Sequence, residues 1–442
     1  MEKESDNNHT IESNGLKAIF RSLRYRNYRY FFYGQSISLI GTWMQRIALP
    51  WLVYSITGSA FLLGLVGFAG QIPTFLIAPF AGVLIDRWNR YVILIITQVL
   101  AMIQAFILAF LVLNKSIEVW EIILLSIFLG CINAFDMPAR QSFVVDMIEK
   151  REDLGNAIAL NSSMVNVARL LGPSIAGILI ALTGEGICFL LNGISYIFVI
   201  VFLLMMVITP GKAKIQKTNV LHGLKEGFNY TFGFKPIRYI ILLLALVSLM
   251  GMPYTVLMPV FAKNILHGGS HTFGFLMGAT GIGALTGAIY MASRRSVLGL
   301  GKIIALFAAV FGAGIFAFSQ SHYFVLSIVI LLFTGFGMMM QMTSSNTVLQ
   351  TIVDDDKRGR VMSFYTMAFM GTAPFGSLLA GSLASTIGAA ATLMIGGISC
   401  IIGAIIFARQ LPEIKKIIHP IYIRMGIIPE VASAIQTATE EQ

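Results

Sequence analysis

Charge is scarce in these 442 residues: 12% are Asp, Glu, Lys or Arg, against 56% hydrophobic. A soluble domain carries roughly twice that charge, so a water-exposed globule is excluded. Cysteine is nearly missing. Cys131, Cys188 and Cys400 all fall in apolar stretches; they are too few for a disulfide framework or a metal cage and read as small core residues. The six His are scattered without metal-ligand spacing, so no metal site is expected. No glycine-rich loop ends in Lys-Ser or Lys-Thr, so ATP hydrolysis is not expected of this chain. No enzyme signature stands out, and no cofactor is implied. Residues 1–15 are polar and acidic without an apolar core, which argues against a cleaved signal peptide.

Long apolar runs are what the chain has instead. A hydrocarbon core of ~30 Å needs about 20 apolar residues to cross. Such runs lie near 31–54, 60–85, 91–113, 119–139, 155–182 and 187–208, then near 237–262, 272–292, 302–319, 323–344, 360–386 and 389–408. That pattern predicts an all-α membrane protein with twelve transmembrane helices. Of the 31 Lys and Arg, Arg46 and Arg169 fall inside spans, and Lys115 and Lys263 fall in loops on one side; the remaining 27 lie on the other side. The positive-inside rule makes that side cytoplasmic, with both termini inside, in a plasma (inner) membrane. The net charge of +10 is explained by this asymmetry and needs no nucleic-acid partner.

Residues 209–236 form the longest polar break within the chain and carry five Lys against the single Glu226. The expected organisation is an N-terminal segment 1–30, a six-helix half 31–208, a linker 209–236, a second half 237–408 and a tail 409–442. Within the linker, 221–232 could form a short amphipathic surface helix. A shift of 204 aligns Val144 with Val348, Ile148 with Ile352, Gly155 with Gly359, Gly172 with Gly376 and Gly177 with Gly381. A shift of 205 sets Gly82 on Gly287 and Met291 on Asp86, so the second half lacks that acid and keeps Arg294, Arg295 and Lys302. Glycines repeat at small-residue spacing: Gly64, Gly67 and Gly70 in the second span; Gly274, Gly278, Gly283 and Gly287 in the eighth. Such residues let helix backbones approach closely in lipid.

Residues 82–90, GVLIDRWNR, sit between the second and third runs. Gly82 permits close helix contact, Asp86 can meet the positive N-terminal end of another helix, and Arg87 and Arg90 stay in the polar layer. This GxLxDRxxR pattern resembles the loop signature of the major facilitator superfamily. Asn89 stands where that family usually has a second Gly, and Tyr91 where it often has Lys. The resemblance implies the major facilitator fold, two six-helix halves, and a gating role for Gly82, Asp86, Arg87 and Arg90. In the fifth span, RLLGPSIAG carries Arg169, Gly172, Pro173 and Gly177 and resembles the antiporter motif of exporting families. Residues 133–148 and 46–59 are similar to the exporter branch that contains enterobactin exporters and macrolide-efflux proteins. The resemblance covers most of residues 20–408 and implies export more than import.

Charge inside a membrane is costly and usually functional. At 1.5 Å per residue, Arg169 sits ~21 Å from either end of its span and Arg46 ~22 Å from the inner end of the first. The membrane centre therefore holds two cations. They either bond carbonyls and polar side chains such as Gln45, Gln71, Asn161 or Asn166, or they draw an anionic substrate inward. Asp136 is an acid inside an expected span, four residues before Arg140, a spacing that allows an ion pair. Alternatively Asp136 titrates during transport and couples it to protons. In the resembled fold the first, fourth, seventh and tenth helices line the cavity, which makes Trp43, Gln45, Arg46, Asn133, Tyr254, Gln341, Ser344 and Asn346 wall candidates. Methionines at 250, 252, 258, 338–340 and 342 serve either packing or a promiscuous wall. The expected protein is a secondary transporter, with nothing requiring more than a monomer. It exports a small amphiphile, siderophore-like or otherwise anionic, by proton antiport. The alternatives are a broad-range macrolide-type drug pump, or a receptor or scaffold that keeps the fold without transport.

Overall fold

A computed structural model of the protein describes residues 20–207, 220–294 and 296–427; within its helices the side chains of residues 79, 82–83, 86–87, 151, 220–226 and 355–356 lie outside the description. No strand occurs among the described residues. That follows from the solvent: in lipid every N–H and C=O must be bonded within the chain, and a long apolar segment achieves this as a helix.

The first six long helices are α1 (Arg26–Thr57), α2 (Ala60–Arg87), α3 (Arg90–Leu113), α4 (Val119–Asp146), α5 (Arg151–Thr183) and α6 (Glu185–Leu204). A shorter helix, α7 (Val220–Gly233), falls in the segment expected to be amphipathic. The seventh run is continuous from Lys235 to Ile265 but built in pieces. It comprises α8 (Lys235–Leu246), a π-turn Val247–Gly251, α9 (Tyr254–Val260) and a second π-turn Phe261–Ile265. Then come α10 (Ser270–Ser293), α11 (Leu300–Ser319) and α12 (Phe324–Ile352). The eleventh run is α13 (Asp355–Thr366), a π-turn Met367–Gly371 and α14 (Ala373–Ile387); α15 (Ala389–Arg424) closes the chain.

Among the described residues, eleven helical segments are long and apolar enough to cross a bilayer. The 32-residue α1 is not one of them, because Gln35, Gln45 and Arg46 interrupt its apolar run. The polar residues that lower its hydropathy are those of the site described below.

The chain divides into two compact units, residues 1–216 with 258–278, and residues 217–257 with 279–442. In the first, α1 packs on α5 and α6, α2 on α4, and α3 on α4 and α6. Glycine sets several of these distances. A Cβ on Gly130 would come within 2.6 Å of the Gly70 carbonyl oxygen, so α2 and α4 touch backbone to backbone. Gly177 of α5 lies against Gly274, its added Cβ only 2.8 Å from that Cα, and accepts a 3.1 Å bond from the Ser270 hydroxyl. In the second unit α11 packs on α12 and α15, and α15 also meets α8 and α14. There Gly283 and Gly287 face Leu332 and Phe336 of α12.

Polar ends are fixed locally. Asn89 accepts a 3.0 Å bond from the Tyr91 N–H and caps α3, a use for the residue that departs from the family's glycine. Arg90 pairs with Asp146 at 3.2 Å, joining the start of α3 to the end of α4. Ahead of α1, Asp153 of α5 is almost fully buried and holds Arg21 at 3.0 Å, Arg24, and the Tyr25 hydroxyl at 2.6 Å. Ser22 bonds the Asn156 side chain at 2.7 Å beside it.

Candidate functional site

The first unit contains two polar constellations, and α1 contributes a glutamine to each. The deeper one is a clamp. Gln45 of α1 donates to Gln104 of α3 at 3.1 Å and accepts from Asn192 of α6 at 2.7 Å. Gln104 in turn donates to the Leu125 carbonyl of α4. All three side chains are buried. Gln45 is therefore a tie between helices rather than the open wall residue expected, because its amide is satisfied by two partners at once. Gln71, the other glutamine expected near the arginines, bonds its own helix at the Gly67 carbonyl.

The second constellation surrounds Asp136 of α4, which is 4% exposed. One carboxylate oxygen accepts from Thr97 at 3.1 Å and Gln98 at 2.7 Å; the other pairs with Arg140 one turn along. Arg140 also donates to Gln35 of α1 at 2.8 Å. Sequence reading found the Asp136–Arg140 spacing but missed Thr97, Gln98, Gln35, Gln104 and Asn192. A signal existed: Thr97, Gln98 and Gln104 share the buried stripe of α3 with Ala101, Ala105 and Leu108, and a polar stripe on an otherwise apolar span marks a lipid-shielded face.

Between these, Arg46 and Arg169 converge on one side chain. Their guanidinium carbons lie 4.8 Å and 5.3 Å from the centre of the Trp43 ring. Arg46 is solvent-accessible and Arg169 and Trp43 are half-buried, so this group borders open space. A guanidinium over an indole is a favourable cation–π pair, worth up to about 2 kcal/mol when desolvated. Trp43 itself packs on Leu39, Met164 and Ala168.

Other expected residues are distributed differently. Asn133 is half-buried on α4. In the second unit, Tyr254, Gln341 and Ser344 have at most 1% of their surface exposed, so they are packed in this conformation rather than lining a wall; Ser344 reaches Met291. Asn346 does border a polar cavity of about 420 Å³, together with Thr347, Gln350, Thr351, Arg358 and Met425. Met258, Met338 and Met340 are buried. In the loop motif, Gly82, Asp86 and Arg87 fall in the last turns of α2 at positions whose side chains lie outside the description, while Arg90 has the partner given above. Pro173 sits inside α5 between Gly172 and Gly177.

Long apolar helices carrying shielded charges, in a chain with a repeated half, define a multi-pass membrane transporter of the major facilitator class. A solved structure of a bacterial homologue of the iron transporter ferroportin superposes with a TM-score of 0.70 at 16% identity, covering 87% of this chain and 98% of that one. The chain belongs to the transmembrane secretion effector family, whose model matches residues 17–429. The staphyloferrin A transporter of Staphylococcus aureus is 27% identical over 86% of this chain and 95% of its own length. Macrolide efflux protein A of Streptococcus pyogenes is 21% identical over 89% and 99%.

Proposed function

We propose that this transporter exports a small anionic amphiphile, siderophore-like in its chemistry, across the plasma (inner) membrane, with both termini in the cytoplasm. The observation that carries the reading is the pair of arginines that meet on Trp43 within the spans, since charge inside a membrane is costly and marks the path of a substrate or ion. The likeness to a staphyloferrin A transporter supports the substrate class, and the Gly172-Pro173 pair within α5 supports the direction. Alternating access is coupled to protons through Asp136: its carboxylate exchanges a proton for the bond to Arg140 as the cycle turns. Gly82, Asp86, Arg87 and Arg90 serve the gate, and a monomer suffices.

A second reading, a drug pump, is favoured by the likeness to macrolide efflux protein A; it predicts transport of neutral or cationic drugs. Comparing the culture medium of deletion and wild-type cells under iron limitation separates the two. The proposal expects an anionic chelator to be missing from the deletion medium. Unchanged medium together with macrolide sensitivity of the deletion strain supports the drug pump instead.

A further inference from the structure

One buried ring stands between the Asp136 constellation and the Gln45 clamp. Tyr196 of α6 is 7% exposed and packs with Ala101 and Ala105 of α3 and Ile132 of α4 in one apolar cluster. On α3, Ala101 lies between Gln98, a partner of Asp136, and Gln104, a partner of Gln45. On α4, Ile132 precedes Asp136 by one turn. Tyr196 itself follows Asn192, the other partner of Gln45, by one turn. Its hydroxyl meets the Thr42 hydroxyl of α1 at 3.4 Å. Three charged groups act on that hydroxyl: Asp136 and Arg140 of α4 lie within electrostatic reach of it, as does Arg46 of α1. From α3 only alanines meet the ring.

Glycine sets how α1 lies on α6. A Cβ on Gly41 would come 2.8 Å from both the Asn192 Oδ1 and the Ser195 Oγ, so its absence lets the helices close and brings Thr42 to Tyr196. Along α1, Gln35, Thr42 and Gln45 then reach Arg140, Tyr196 and Asn192 in turn. The outer two bonds are 2.8 Å and 2.7 Å, whereas the middle one is 3.4 Å, at the limit of a hydrogen bond. Either hydroxyl can donate in it. A bond so long is easily exchanged. The residue after Thr42 is Trp43, whose ring carries Arg46.

We infer that Tyr196 is a positioning residue that passes the charge state of Asp136 to Trp43 and Arg46 through the Thr42 hydroxyl. While the carboxylate is charged, it draws the phenol proton and leaves the phenol oxygen to accept from Thr42. Once Asp136 is neutral, the Arg140 charge draws the oxygen instead and the phenol proton turns to Thr42. No covalent O–H bond breaks at either residue; both hydroxyls rotate. Each arrangement favours its own setting of α1, so proton uptake at Asp136 shifts populations at the cargo site. The inference rests on Asp136 as the titrating group and adds the residue that carries its signal.

The test is intrinsic fluorescence of the purified full-length protein in lipid nanodiscs, titrated from alkaline to acidic pH. The Trp43 part is the difference from Trp43→Phe among the four tryptophans. Wild-type Trp43 emission should shift with pH, and the shift should vanish in Asp136→Asn. In Tyr196→Phe, which keeps the ring in its cluster, the factor by which pH moves the two emission states should fall about threefold or more, the weight of one ordinary hydrogen bond. Thr42→Val should give the same fall, and the double variant no more than either, because all remove one bond. The infrared carboxyl band that Asp136→Asn lacks should still titrate in Tyr196→Phe, since the signal is cut and not the protonation. A merely structural role for Tyr196 would lower the melting temperature and leave the Trp43 shift whole. Monodisperse elution selects the variants, and Thr42→Val serves if Tyr196→Phe does not fold. An undiminished shift in either folded variant, additive falls in the double variant, or an Asp136 band that no longer titrates in Tyr196→Phe overturns the inference alone. A flat wild-type response, or a shift that persists in Asp136→Asn, also overturns it, and the infrared band then decides whether the reading of Asp136 falls with it.

Discussion

Single side chains decide most of what distinguishes this transporter. Asp136 receives three side-chain donors, one of them Arg140. Asp136→Asn keeps the shape, removes the charge and leaves Arg140 with Gln35. In proteoliposomes the variant should lose export driven by a pH gradient, by about tenfold or more, while downhill exchange of substrate continues. Gradient-driven export at the wild-type rate would leave Asp136 as a structural partner only. Gln45 predicts an effect of another kind. Gln45→Leu strips partners from Gln104 and Asn192, two buried amides. The cost should be about 1–2 kcal/mol, read as a lowered unfolding temperature in detergent, because polar partners in membranes are worth no more than that. The spacing of Asp136 and Arg140 was legible because it lies within one helix. The bonds from Thr97, Gln98 and Gln35 were not, since they join residues 38 to 105 positions apart, and no spacing rule fixes which helices become neighbours.

At the scale of elements, the internal repeat was legible and the structure extends it. The 204-residue shift that aligns Gly172 with Gly376 also aligns Gly184 with Gly388. These two glycines have φ of 84° and 88° and each ends one helix while beginning the next, a conformation that only glycine adopts without strain. Gly172 lies on Trp43 of α1, and Gly376 lies on Leu249 and Pro253 of the seventh run, so both halves use a glycine for a close helix approach. The breaks of the seventh and eleventh runs into π-turns were not legible. The prolines nearby, Pro253 and Pro374, mark where a backbone bond is lost, but the choice between a kink and a widened turn depends on neighbours. The glycine stripe of α10 proves to serve two partners: Gly274 and Gly278 approach Pro173, Ser174 and Gly177 of α5, and Gly283 and Gly287 approach α12. Gly177→Ala should place a methyl about as close to Gly274 as its added Cβ stands now, 2.8 Å. Overpacking of that size costs about 1–3 kcal/mol. The variant should melt earlier and transport more slowly, and unchanged melting would show that α5 and α10 separate freely.

For the whole molecule, the long apolar runs were readable from hydropathy alone, because a bilayer imposes length directly. The exception is instructive. α1 falls short of the apolarity of the other eleven segments, and it contributes Gln45 to one polar constellation, Gln35 to the other, and Trp43 and Arg46 to the cation–π group. A transporter concentrates polar residues where cargo passes, and on the proposed reading this least membrane-like helix carries the site. The central claim, an exporter that recognises anions through Arg46 and Arg169, is tested most directly in everted membrane vesicles supplied with a cell extract. Mass spectrometry then reads which metabolites accumulate inside under an imposed pH gradient. The account predicts that acids accumulate with the wild-type protein and that their accumulation falls about tenfold or more in the Arg46→Gln, Arg169→Gln double variant at equal protein level. Accumulation of neutral or cationic compounds alone, or acids accumulating equally in both, would contradict it.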